Sequence, residues 1–210
     1  MSLVMLESLI ADPRVWSAAA VVSVLLLMLV LFIKQRRRTA DMRMVQRQIK
    51  KLAVRCMEQV AISDPVEGEL RIDYLLHTDR LIVVLNVQNF PGKIYGGDRV
   101  ERWTQVCGHR SYKFANPQGY LDSCVASVKG LLPGVPVVGR IVFSTAGEFP
   151  KGIPTNVVMG NALVDQVRAL EGGLAPIERT GVNMAWDKLQ AALQERADPR
   201  VHLSKRQAIL

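Results

Sequence analysis

The stretch LIVVLNVQ, Leu81 to Gln88, reads as a buried β-strand ending on two amides, Asn86 and Gln88, with one valine between them. On a strand, residues i and i+2 point to the same face, so the pair presents its polar groups together. Several nuclease folds hold an acid and a lysine at such a place. Phosphodiester hydrolysis needs a divalent cation to polarise the phosphoryl oxygen and to lower the pKa of an attacking water. Magnesium is held by hard, anionic oxygens, so two or three carboxylates must converge, and a lysine nearby stabilises the developing charge. Asn86 offers a neutral carbonyl oxygen and Gln88 a neutral donor. Asp73, on the preceding strand-like run, is then the single metal-ligating candidate. Compensation would have to come from Glu69, which shares a face with Asp73 on a regular strand, from Glu58 on a preceding helix, and from Lys93 or Lys113 on a loop.

A second group of residues could hold an anion without cleaving it. Lys93, Arg99, Arg102, Arg110 and Lys113, with His109, are interleaved with Tyr95, Trp103 and Tyr112, a pattern able to track a phosphate backbone. Lys93, Arg102, Arg110 and Lys113 are the nucleic-acid-binding candidates. Asp98 and Glu101 interrupt the run, so a solvated charged face is the competing reading. Trp103 reads as core packing ahead of a stacking platform, and Asn116 with Pro117 as a helix start, asparagine capping and proline in the first turn. No base-reading motif is present, so any nucleic-acid binding should be electrostatic. The net charge of +8 fits an anionic partner. Cys56, Cys107 and Cys124 are isolated and odd in number, which argues against a zinc site or a disulfide framework. No cofactor is implied, apart from magnesium if the chain is active.

The elements that must position these residues begin with an apolar run. Val15 to Ile33 carries no charge and is followed by Lys34, Arg36, Arg37 and Arg38. It reads as one transmembrane helix, with the basic flank placing the C-terminal side in the cytoplasm and the chain in the inner membrane as a single-pass protein. Asp41 to Ile62 reads as an amphipathic helix, and Glu69–Leu76 with Arg80–Gln88 as a β-hairpin. Gly96 and Gly97 mark a turn. Two short strands are expected at 101–107 and 111–114, a helix from Pro117 to about Leu131, strands near 133–144 and 155–159, and helices at 161–170 and 182–196. The expected organisation is an outer N-terminus (1–14), the membrane helix (15–33), a basic linker (34–42), an α/β (α+β) domain with a mixed sheet flanked by helices (43–171), a helical extension (172–197) and a polar tail (198–210).

The order RIDYLLHTDRLIVVLNVQNFPGKIYGG, then Trp103, then YKFANPQGYLDSC resembles the NERD, or nuclease-related, domain of the PD-(D/E)XK nuclease superfamily, over roughly residues 43 to 145. The resemblance is carried by Ile72-Asp73, the hydrophobic second strand, the Gly92–Gly97 turn followed by Trp103, and Asn116-Pro117. It implies a PD-(D/E)XK-like fold in which Asp73 matches the catalytic aspartate, while Asn86 and Gln88 stand where a glutamate and a lysine belong. A family glutamine about four residues after the Asn-Pro start is replaced by Tyr120, with Gln118 two residues early. The expectation is therefore a membrane-anchored, catalytically degenerate domain that binds nucleic acid or a protein partner at the cytoplasmic membrane face. The alternatives are an active magnesium-dependent nuclease with relocated residues, and a structural subunit of a membrane complex.

Overall fold

The structure, a computed structural model, describes residues 13–64, 68–174 and 179–197. In chain order it contains helix α1 (Pro13–Leu52) and strands β1 (Arg55–Asp64), β2 (Gly68–His77), β3 (Ile82–Gln88), β4 (Gly92–Tyr95), β5 (Arg102–Cys107) and β6 (Arg110–Ala115). Helix α2 (Pro117–Leu131) follows, then strands β7 (Val137–Phe143), β8 (Gly147–Glu148) and β9 (Val157–Met159), and helices α3 (Leu163–Gly172) and α4 (Arg179–Ala197). The chain divides into two compact units, Met1–Asp41 and Met42–Leu210.

In the first unit the helix makes local contacts: Thr39 Oγ1 donates to the Gln35 carbonyl at 2.9 Å, and the Arg36 guanidinium lies 5.7 Å from the Phe32 ring centre. Among the described residues no helix is long and apolar enough to cross a membrane. This corrects the transmembrane helix expected over Val15–Ile33, and with it the single-pass inner-membrane location and cytoplasmic C-terminal side. The apolar side chains that are described run from Ala20 to Ile33 before Lys34 and Arg36 intervene. The same helix continues to Leu52 through Arg43, Arg47, Lys50 and Lys51, so its second half is strongly charged. The side chains of residues 15–19 lie outside the described residues, as do the segments 1–12 and 198–210.

The second unit is a mixed α/β domain with two sheets. One has the order β1-β2-β3-β7-β9, antiparallel through β3 and parallel from β3 to β9; the other has the order β6-β5-β4-β8, antiparallel except for β4 with β8. A single sheet was expected. The second arises because Gly92–Tyr95, which reads as a turn, pairs with both β5 and β8.

The helix expected over Asp41–Ile62 ends at Leu52. Val45, Ile49 and Leu52 form a true buried helical stripe, but Val60 and Ile62 are buried between exposed Ala61 and Ser63, a period of two. From Arg55 to Asp64 the backbone pairs with β2 on both sides of Gln59. The tertiary ladder overrides a local pattern that fits either element.

Two apolar clusters cover opposite faces of the five-stranded sheet. On one face Ile82, Val84, Ile141 and Phe143 pack with Leu121 and Val128 of α2, Trp186 of α4, and Ile94 and Trp103 of the second sheet. On the other, Leu81, Val83, Leu85 and Val142 pack with the α1 stripe and with Leu163 and Val167 of α3. Along a regular strand the even-numbered residues of β2 would share a face. Instead Leu70 and Ile72 belong to the first cluster, and Tyr74 and Leu76 to the second. The strand changes face at Asp73. Its neighbour β1 changes with it: Val60 and Ile62 join the first cluster, whereas Cys56 and Glu58 line a cleft with Gln46, Ile49 and Lys50 of α1. Between them Gln59 has φ 51°, left-handed for a residue that is not glycine.

Candidate functional site

The pairing of β2 with β3 stops at Tyr74 and Leu85, and one further step of that register sets Asp73 opposite Asn86. There the side chain takes over from the ladder. Asp73 Oδ2 accepts the Val87 backbone N–H at 2.7 Å, and Oδ1 accepts from Gln59 Nε2 at 3.4 Å. Asn86 and Gln88 share one face of β3 by alternation, the face of Ile82 and Val84. Gln88 Nε2 donates to Asn86 Oδ1. The three candidates Asp73, Asn86 and Gln88 are thus brought together at the end of the β2–β3 ladder, all half-buried, with both Asp73 oxygens and the Asn86 amide oxygen engaged by protein donors.

A magnesium ion fits this set poorly. One carboxylate and one amide oxygen supply a single negative charge where a hard cation requires several anionic oxygens. Among the described residues no three His, Cys, Asp or Glu side chains group into a possible metal site. The residues expected to compensate lie elsewhere. Glu69 is exposed and pairs with Arg71 at 3.1 Å. The helix that was to carry Glu58 is strand β1, and the face change turns Glu58 into the cleft against α1. Lys93 and Lys113 are on strands of the second sheet, not on loops.

Tyr120, at the position of the altered glutamine, has a different task. Beyond Tyr74 strand β2 has no β3 partner, and the Tyr120 hydroxyl satisfies its backbone by accepting the Arg71 N–H at 2.6 Å and donating to the Arg71 carbonyl at 3.0 Å. Gln118 is buried and donates to Asp98 Oδ1 at 2.8 Å and to the Thr155 carbonyl. Asp98 also accepts from Thr155 Oγ1 at 2.8 Å and from its N–H at 2.9 Å. The hydrogen bonds from the Gln118 and Thr155 side chains, with that from the Thr155 N–H and the Arg99 charge, hold the Asp98 carboxyl below its ordinary range.

The glycine turn, Trp103 and Asn116-Pro117 meet at one carbonyl. Gly97 O accepts from Trp103 Nε1 at 3.2 Å and from Asn116 Nδ2 at 3.4 Å. Asn116 caps α2, its Oδ1 accepting the Gln118 N–H at 3.0 Å, and its Nδ2 also donates to Val100 O at 3.0 Å. Gly96 has no side chain because the Trp103 ring occupies the space: a Cβ there would stand 2.6 Å from Trp103 Cε2 and Cγ. Trp103 is fully buried and packs against Phe114, Phe143 and Phe149, so it is a core residue, not an exposed stacking platform. The separated sequence motif is therefore one clasp, joining the second sheet to the start of α2.

The model of the nuclease-related domain family, NERD, matches residues 37–144, about half of the chain and the whole of this clasp and strand pair. The chain belongs to the NERD family. No curated protein and no solved structure matches it. Residues Asp73, Asn86 and Gln88 all fall inside the matched NERD region.

The basic candidates of the NERD domain divide by register. Tyr95, Thr104 and Lys113 lie in one cross-strand row, Lys93 lies beside Val106 and Arg102 beside Ala115, all on the side opposite Ile94, Trp103 and Phe114. Lys93, Arg102 and Lys113 hence share the outer face of the second sheet, each exposed. Arg110 is separated: it pairs with Cys107, on the Trp103 side, at the hairpin end. Glu148, opposite Lys93 on β8, is the acidic neighbour on this face. Among the described residues none of these four cations forms an ion pair. The sequence carries no visible signal for Gln59, whose left-handed backbone faces Asp73, or for the Asp98–Gln118–Thr155 bonds, which join positions 57 residues apart.

Proposed function

We propose that this NERD domain is catalytically degenerate and binds nucleic acid through the outer face of its second sheet. One observation carries the reading: Gln88 and Asn86 bond to each other beside Asp73, where hydrolysis would require a second carboxylate and an ammonium. The positions of Glu58 and Glu69 give no support to a relocated metal site. Binding is supported by three cations on one exposed face, with Tyr95 and Thr104 between them. Such a face contacts phosphates and reads no bases, so duplex DNA and RNA are both within its reach.

The test is a salt series with a labelled DNA duplex and the full-length chain, run beside a cleavage assay with magnesium. Three phosphate contacts predict a log–log slope of about −2.7, so affinity should fall about fortyfold from 50 to 200 mM salt. The combined Lys93→Gln, Arg102→Gln and Lys113→Gln variant should lose most of that dependence, while Arg110→Gln keeps it. Binding unaffected by salt or by the triple variant would overturn the assigned face. Magnesium-dependent cleavage abolished by Asp73→Ala would overturn the degeneracy. Absence of any nucleic-acid binding would leave a protein partner, or a structural role in a complex, as the function.

A further inference from the structure

Helix α4 lies on β1 and β2 and buries Val182, Trp186 and Leu189 in the core. Beneath it His77, the last residue of β2, is only 3% exposed, and among the described residues neither ring nitrogen has a hydrogen-bond partner. Its ring meets Trp186 edge-on, with centroids 5.6 Å apart and planes at 75°. The cross-strand neighbour of His77 is Arg55, whose guanidinium stands 5.9 Å from the Trp186 ring centre. Arg55 bonds to Asp187 at 2.6 Å and to Asn183 Oδ1 at 3.2 Å, both on α4. A phenylalanine or leucine would fill an apolar site of this kind without burying two orphaned nitrogens.

We propose that His77 is a proton-sensitive latch, which keeps α4 seated on the sheet while the imidazole is neutral and releases it when the imidazole is protonated. An imidazolium here would have two buried donors and no acceptor, with the Arg55 cation beside it. The charged groups around it are Arg55 on β1, Asp187 on α4 and Asp79 in the turn after β2. Asp187 is committed to Arg55. Burial first, and the Arg55 charge second, push the His77 pKa below its ordinary 6.5, against weaker pulls from its own backbone, Asp187 and Asp79. For a base with a depressed folded value, the undocked state binds more protons as the pH falls below 6.5. Docking is therefore at full strength above that value and weakens on acidification, until the docked imidazole itself titrates.

Hydrogen exchange of the full-length chain at pH 7.5 and 5.0, corrected for intrinsic rates, reads the opening of 179–197 against that of 117–131. The α4 opening equilibrium should rise by up to about thirtyfold, the ceiling for a group that titrates near 6.5 when free and stays neutral when docked. Helix α2 should not change. His77→Phe and His77→Leu should remove the rise, and His109→Gln should retain it. An equal rise in both His77 variants, or no rise in the unaltered chain, would overturn the latch. Should neither variant fold, ring titration of His77 by NMR decides: titration near 6.5 with α4 still protected rejects it, and protonation coincident with α4 exchange supports it.

Discussion

Replacing Asp73 by alanine separates two roles that a strand carboxylate can hold. In the structure Asp73 Oδ2 accepts the Val87 N–H at 2.7 Å where the β2–β3 ladder has ended, and the 3.4 Å contact from Gln59 adds little. A hydrogen bond to a charged acceptor contributes about 1.5–3 kcal/mol. Asp73 and Val87 are both half-buried, so water recovers part of the loss in the alanine variant. We expect Asp73→Ala to cost about 1.5 kcal/mol, about 3–6 °C in Tm for a domain of this size. Asp73→Asn keeps a neutral acceptor and should lose less than half of that. A metal-binding carboxylate behaves oppositely: its removal from an empty acidic site relieves repulsion and leaves stability unchanged or raised. Thermal unfolding of the wild type and both variants, with and without magnesium, distinguishes the two. Neutral or stabilised variants without magnesium, or a magnesium-induced rise in Tm that Asp73→Ala removes, would refute the role as a ladder cap.

Two further outcomes follow from the clasp. Gly96→Ala places a methyl group against the buried Trp103 indole and should cost about 1–3 kcal/mol by overpacking, read as a lower urea midpoint with unchanged m. An unchanged midpoint would mean that the turn can withdraw from the ring. Asp98, whose carboxyl is held below its ordinary 3.8 by Gln118 and Thr155, contributes stability that is present above 3.8 and lost as the pH falls through the folded value. Asp98→Asn should flatten the fall of Tm between pH 5 and 2.5, and an unaltered profile would rule that contribution out.

The sequence made most of the fold legible because most elements have one consistent period. Strands β3, β5 and β6 and helix α2 lie within two residues of their expected bounds, and Asn116 caps α2 as its type and the following proline require. Residues 55–62 failed for a physical reason. Cys56 and Val60 continue the three-and-four spacing of a helix while Val60 and Ile62 fit the alternation of a strand, and only pairing with β2 decides between them. The second sheet was missed because its shortest members, β4 and β8, are stabilised by each other and by β5, not by any local preference. The apolar run illustrates another limit: hydropathy suggested a membrane helix, whereas no described helix is long and apolar enough to be one.

At the site, residue types were legible and their engagements were not. Spacing alone places Asn86 and Gln88 on one face, but it cannot show that they bond to each other, or that β1 and β2 change face at Gln59 and Asp73. That change removes the premise on which Glu69 or Glu58 would join Asp73, since a common face holds only along a regular strand. It also gives Asp73 and Tyr120 a shared physical logic. The free end of β2 has to be held once pairing with β3 stops, and two side chains hold it: Asp73 on Val87, and Tyr120 on both backbone groups of Arg71. A catalytic aspartate has to leave its oxygens free for a cation, whereas here one is fixed at 2.7 Å by a backbone donor and the tyrosine fixes the same strand from α2. The polar groups that a nuclease would direct at a metal are engaged in this chain within the protein, Asp73 on the Val87 backbone and the two amides with each other, an arrangement that maintains the strand pair.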